Sequence, residues 1–140
     1  MEDIYIGTPN AKQDEFLRCK KKYVAFGGAR GGGKSWAVRC KAKLLAQRYP
    51  GIRMLLVRRT MPEIEANHLE TLRLELAGTA VYRAEERRFV FGNGSVLQFG
   101  YCACDRDADR YQGAEYDVIF FDEATQLKEQ WMRKLAACVR

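Results

Sequence analysis

Phe26-Gly27-Gly28-Ala29-Arg30-Gly31-Gly32-Gly33-Lys34-Ser35 is the most informative run in the sequence. From Gly28 it has the spacing G-x-x-x-x-G-K-S, which suits a phosphate-binding loop. Backbone N–H groups from Gly28, Ala29, Arg30, Gly31, Gly32 and Gly33 can wrap an anion, while Lys34 and Ser35 reach the terminal phosphates and a magnesium ion. Glycine is needed because a backbone curling around phosphate must visit φ > 0 and leave no room for a Cβ. The competing reading is a glycine-rich turn followed by a chance Lys-Ser pair. The flanks argue against it: the apolar run Tyr23 to Phe26 enters the loop and the helix-compatible run Trp36 to Arg48 leaves it.

Working outward, the partner of such a loop is a strand that delivers carboxylates. Val118-Ile119-Phe120-Phe121 is an apolar run ending in Asp122-Glu123-Ala124-Thr125. Beside a phosphate loop, Asp122 is expected to hold magnesium, mostly through water, and Glu123 to orient and deprotonate the water that attacks the γ-phosphate. Taken alone, the same residues read equally well as a strand that ends in two solvated acids. A switching GTPase would position its water with a glutamine and read guanine through an Asn-Lys-x-Asp segment. Neither arrangement occurs in the sequence, so ATP with Mg2+ is the expected ligand.

At 140 residues the chain is one domain's worth, and 47% hydrophobic content suits a core rather than disorder. No apolar run approaches the roughly 20 residues of a membrane span, and the acidic start Met1-Glu2-Asp3 is unlike a signal peptide, so a cytoplasmic location is expected. Five cysteines without an export signal read as reduced thiols, and Cys102-Ala103-Cys104 has no neighbouring Cys or His pair to complete a zinc site. His68, the single histidine, is expected on a solvated helix face. The net charge of +6 conceals an asymmetry: Lys12 to Arg59 carries fourteen Lys/Arg against Asp14 and Glu15. That half suits polyanions, whether nucleotide phosphates or a nucleic-acid backbone. Lys41, Lys43 and Arg48 are assigned to solvated faces of the helix after the loop.

Taken in order, the chain predicts a strand Ile4 to Ile6 and, after Thr8-Pro9-Asn10, a helix from about Ala11 to Cys19. The strand, loop and helix of the opening stretch follow, stopped by Tyr49-Pro50-Gly51. Ile52 to Val57 is nearly continuous in apolar residues, as expected of a parallel strand covered on both faces. Arg58-Arg59-Thr60 leaves at its C-terminal edge, where open α/β sheets bind ligands. A helix from Pro62 carries Ile64, Leu69, Leu72, Leu74 and Leu76 as its apolar stripe up to Gly78. A short strand, Val81 to Ala84, precedes two alternating strands around Gly92-Asn93-Gly94, a strong hairpin signal. A polar segment from Asp105 to Gln112 reads as a short helix or exposed loop, and Thr125 to Val139 as an amphipathic helix with Leu127, Trp131, Leu135 and Cys138 inward.

The order and spacing of Gly-Gly-Ala-Arg-Gly-Gly-Gly-Lys-Ser-Trp, Leu-Val-Arg-Arg-Thr, Asn-Gly-Ser, Tyr-Gln-Gly-Ala-Glu-Tyr-Asp and Phe-Phe-Asp-Glu-Ala-Thr-Gln-Leu resemble the ATPase domain of the large terminase subunit of tailed bacteriophages. The resemblance runs from Thr8 onward. It implies an α/β P-loop NTPase of the additional-strand, catalytic-glutamate class: a mostly parallel sheet flanked by helices, with an antiparallel hairpin over residues 88–101. It implies an ATP-hydrolysing motor that drives double-stranded DNA into a procapsid in the bacterial host's cytoplasm, working as a homo-oligomeric ring with portal protein and the small terminase subunit. Arg30 matches an arginine that reaches the phosphates in cis, for which a bidentate guanidinium is chemically suited. Gln13 matches a glutamine that contacts adenine. Arg110, with Arg106 as the alternative, matches an arginine acting on the neighbouring subunit's nucleotide.

The sequence departs from the family at its end. A coupling motif on the strand after the acidic one, and a metal-dependent nuclease domain, both fall beyond Arg140, so residues 1–140 read as a partial ATPase domain without nuclease chemistry. In this class that further strand lies between the acidic strand and the loop strand. The sheet is therefore expected to be incomplete: the two strands pair directly, another molecule fills the gap, or the fold distorts there. ATPase activity of the fragment alone is expected to be weak or absent, below about 1 s⁻¹. The alternatives are another P-loop DNA-dependent ATPase, such as a helicase or recombination ATPase, and a fragment that only binds nucleotide. Because Tyr23, Phe26, Phe89, Phe91 and Phe99 fall inside predicted strands, core packing is favoured over base stacking.

Overall fold

The apolar runs read from the sequence form parallel strands of one sheet. The computed structural model describes residues 23–26, 34–123 and 126–139, with the backbone alone for 23–26, 34 and 35. The expected strand Ile4 to Ile6 and helix Ala11 to Cys19 lie outside these residues. The strands are β1 (Tyr23–Phe26), β2 (Arg53–Arg58), β3 (Ala80–Arg83), β4 (Arg88–Phe91), β5 (Val96–Tyr101) and β6 (Val118–Asp122). They make a six-stranded sheet in the order β1-β6-β2-β5-β4-β3. The first four in that order are mutually parallel, and the β5-β4-β3 end is antiparallel.

Side-chain alternation explains why the parallel strands are almost wholly apolar. Met54, Leu56, Val118 and Phe120 face one core, with Ala37, Val38, Ala42 and Ala46 of helix α1 (Lys34–Arg48). Leu55, Val57, Ile119 and Phe121 face a second core, with Ala108, Leu127, Trp131 and Leu135. Strands buried on both faces have no polar side to show, hence the continuous runs. The second face is covered by α4 (Asp105–Asp109) and α5 (Glu129–Ala136).

The chain from Met61 to Glu75 is helical without a break: α2 (Met61–Ile64), a π-helical turn (Glu65–Leu69) and α3 (Glu70–Glu75). Pro62 occupies its first turn, where a missing N–H costs nothing. Ile64, Leu69, Leu72 and Leu76 are buried as the stripe predicts, but Leu74 is 82% exposed. Two residues from both Leu72 and Leu76, Leu74 points to the opposite side of the helix.

Gly92-Asn93-Gly94 turns the β4-β5 hairpin as expected, and its side chains also finish α1. Asn93 Nδ2 donates to Ala46 O at 2.8 Å, and Ser95 Oγ lies 3.1 Å from Ala46 O and 3.0 Å from Tyr49 O. The last carbonyls of the helix thereby find partners. Phe89, Phe91 and Phe99 are buried, and Phe89 packs edge-on against Phe99 at 5.9 Å. These aromatics are core, as read from sequence. None of Cys40, Cys102, Cys104 and Cys138 is in a disulfide.

Of the three arrangements open to a sheet without the further strand, the structure has the first, direct pairing. β1 and β6 pair directly, with Tyr23 opposite Ile119 and Phe26 opposite Asp122. Each strand's backbone groups need a ladder, and the direct one satisfies them.

Gly100 allows Tyr111 to lie across β5. A Cβ there would overlap Tyr111 Oη and come within 3.2 Å of Leu55 Cδ1. Tyr111 Oη donates to Tyr101 O at 3.1 Å, so it has little freedom to retreat. Gly100→Ala is expected to cost about 1–3 kcal/mol of stability by overpacking. A urea-denaturation midpoint equal to that of the wild type would refute this.

Candidate functional site

Parallel strands present their C-terminal ends at one edge of a sheet, and three of these ends carry the candidate site. Phe26 ends β1 in register with Asp122, the last residue of β6. Val57 of β2 pairs with Phe121, so Arg58 comes level with Asp122 from the other side. Lys34 and Ser35 open α1. The loop residues Gly28, Ala29, Arg30, Gly31, Gly32 and Gly33, and Gln13, lie outside the described residues.

Asp122 is 1% exposed. Its Oδ2 accepts hydrogen bonds from Arg58 Nη1 at 2.9 Å and from His68 Nε2 at 2.6 Å. Both donors are themselves buried, His68 completely. The expectation of a solvated His68 is therefore wrong: its ring lies beneath the helix of the π-turn, against the end of β6. The reason is visible in the spacing of Ile64, His68, Leu72 and Leu76, four residues apart, which puts the histidine in the middle of the buried stripe.

The charge states follow from the surroundings. Burial pushes the His68 imidazole below its ordinary value, outweighing the upward pull of Asp122. His68 is thus neutral. Its Nδ1 lies 3.5 Å from Arg39 Nη1, and because arginine only donates, Nδ1 is the bare nitrogen and Nε2 carries the proton to Asp122. For Asp122, burial raises the carboxyl, but the His68 hydrogen bond and the Arg58 guanidinium outweigh it and hold it below its ordinary value. An ionised carboxylate, a neutral imidazole and a guanidinium thus share one buried cluster.

The network continues into the helix after the loop. Arg39 Nη1 also donates to Asn67 O, and its Nε lies 3.8 Å from Glu75. Lys43, fully buried, pairs with the same glutamate. Lys41 is buried too. The assignment of Lys41 and Lys43 to solvated faces is overturned because α1 is covered by the sheet on one side and the π-turn helix on another. Arg48 is exposed as expected, stacked 5.5 Å over Tyr49.

The family described as terminase large subunit, T4-like virus type, N-terminal, matches residues 25–137, most of the chain. The chain belongs to this family. Among solved structures, the large terminase from a thermophilic bacteriophage aligns with a TM-score of 0.72 over 91% of this chain at 15% identity. At that identity the likeness shows the fold alone, and the chain spans 35% of the length of that large terminase. No curated protein matches.

In this terminase chain Glu123 follows the Asp122 cluster in a left-handed conformation, φ 55°. A non-glycine residue held there stores backbone strain, which clusters at functional sites. Its carbonyl accepts from Gln126 N at 2.9 Å, closing the turn out of β6. Arg110 is not drawn into the Asp122 cluster. Its guanidinium donates to Tyr101 Oη at 2.7 Å, lies 5.7 Å over that ring and is 3.6 Å from Asp107. Asp109 pairs with Lys134 instead. Arg106 is exposed on α4. His68 and Arg39 are the site residues that sequence reading missed; Arg58 was placed at the ligand-binding edge of the sheet but without its partner Asp122.

Proposed function

We propose that residues 1–140 are a partial ATPase domain of a phage terminase large subunit, the motor that packages double-stranded DNA. The observation that carries this is the register of Phe26 with Asp122. It brings the last residue of β1, which precedes Gly28 to Ser35 in sequence, level with the acidic end of β6, and Lys34 and Ser35 open α1. Strand, loop, helix and acidic strand are the parts a phosphate site needs.

The residues fit a magnesium nucleotide. Mg2+ keeps most of its waters and takes one or two protein oxygens besides phosphate, and Asp122 and Ser35 would hold it. Its charge would offset that of the terminal phosphates. The chain's own residues do the rest: Gly28 to Gly33 cradle phosphate, Lys34 and Arg30 meet its charge, Gln13 reads adenine, and Glu123 takes the proton of the attacking water. Arg110 serves a neighbouring subunit in the assembled ring. The additional-strand, catalytic-glutamate class belongs to this proposal, as do the bacterial cytoplasm and the contacts with portal protein and small subunit. A helix long and apolar enough to cross a membrane is absent among the described residues.

The test is nucleotide binding. The chain is expected to bind a fluorescent ATP analogue with Mg2+, and Lys34→Ala is expected to weaken binding by about tenfold or more, the value of a charge-assisted hydrogen bond. Equal affinity in the variant would overturn the loop assignment.

A further inference from the structure

We propose that His68 is a positioning residue for Asp122, tying the carboxylate at the end of β6 to the helix that carries Lys34 and Ser35. This rests on the reading that Asp122 serves bound magnesium nucleotide. His68 belongs to neither half of that site: it comes from the π-turn, and each of its ring nitrogens meets a different half. Nε2 donates to Asp122 Oδ2 at 2.6 Å, and Nδ1 lies 3.5 Å from Arg39 Nη1. Arg39 is one helical turn beyond Ser35, on the same side of α1. Its hydrogen bond to Asn67 O, with an ion pair to Glu75 at 3.8 Å, ties that turn of α1 to the helical segment carrying His68.

Arg58 already supplies the positive charge that a buried carboxylate requires. What His68 adds is direction. Two donors converging on one oxygen from different elements fix the rotation of the carboxylate, which Arg58 alone would leave less constrained. Such partners of a metal-binding side chain set its orientation, and losing one costs about 10–100-fold in metal affinity. His68 sits inside the π-turn itself, and π-bulges within α-helices are frequent at functional sites.

The readout is the ratio of ATP affinity with Mg2+ to that in EDTA, measured by titration of the folded chain. His68→Leu fills the space without a donor and is expected to lower the ratio about tenfold, with affinity in EDTA nearly unchanged. His68→Gln retains an N–H for Asp122 and is expected to restore most of it. Arg39→Met, which cuts the other side of the ring without touching Asp122, is expected to lower the ratio more modestly and serves where the leucine variant does not fold. A ratio unchanged in both, or a Gln variant no better than Leu, would overturn the proposal. Asp122→Asn tests the underlying reading separately: if it leaves the ratio intact, Asp122 does not serve magnesium and both fall. If Asp122→Asn lowers the ratio and the His68 and Arg39 variants do not, only the role of His68 is lost.

Discussion

Glu123→Gln in the full-length large subunit is expected to stop ATP hydrolysis while leaving ATP binding intact. The fall in kcat should be at least about a hundredfold, the low end of what a positioned general base contributes. Glutamine keeps the size and an oxygen that can accept a hydrogen bond, but it cannot take a proton at neutral pH, so the loss is confined to the chemical step. Asp122 cannot substitute, because its Oδ2 already accepts from Arg58 and His68 in a buried pocket. The left-handed backbone at Glu123 turns the chain immediately after β6, so the two adjacent acids are held in different settings despite being neighbours. Single-turnover hydrolysis beside equilibrium ATP binding is the measurement. Hydrolysis at the wild-type rate would remove Glu123 from the mechanism.

Asp122→Ala is expected to destabilise the fold by about 3–5 kcal/mol, the range for breaking a buried ion pair from one side. The guanidinium of Arg58 would remain buried, with Glu63 at 3.9 Å as its nearest carboxylate. Asp122→Asn should cost less, since the amide oxygen still accepts from both donors. Urea denaturation decides: a loss below about 1 kcal/mol in the alanine variant would show that Arg58 can reach solvent. Acid should act in the same direction. The Asp122 carboxyl is held below its ordinary value, so its contribution is present above about pH 4 and is lost as pH falls through the lowered value. His68, also lowered, adds stability above about pH 6.5 that is lost on acidification, because the unfolded chain then binds a proton that the folded chain excludes.

What could be read in advance was written in local patterns. β2 and β6 declare themselves as runs apolar on both faces, the hairpin by Gly92-Asn93-Gly94, and α5 by Trp131 and Leu135, although the helix begins only at Glu129, so Leu127 is buried ahead of it. What could not be read involves partners far apart in sequence. His68 meets Asp122 across 54 residues, and Lys43 meets Glu75 across 32. A charged or polar side chain at a helical position looks solvated until the element that covers it is known. The four-residue spacing of His68 with Ile64 and Leu72 was the available signal, and the histidine's polarity masked it. Leu74 shows the opposite error, an apolar residue counted into a stripe whose phase it does not share.

Local pattern was enough for the α/β class, for the strand before and the helix after the glycine-rich stretch and for the acidic end of β6, because periodicity is a property of neighbouring residues. Only the tertiary structure decided that β1 lies directly against β6 and that Asp122 is shared between Arg58 and His68. It also decided that Arg39 joins this cluster to the helix after the loop. Such pairings depend on which strands share a ladder and which helix covers their ends, and burial then makes each polar group there find a partner.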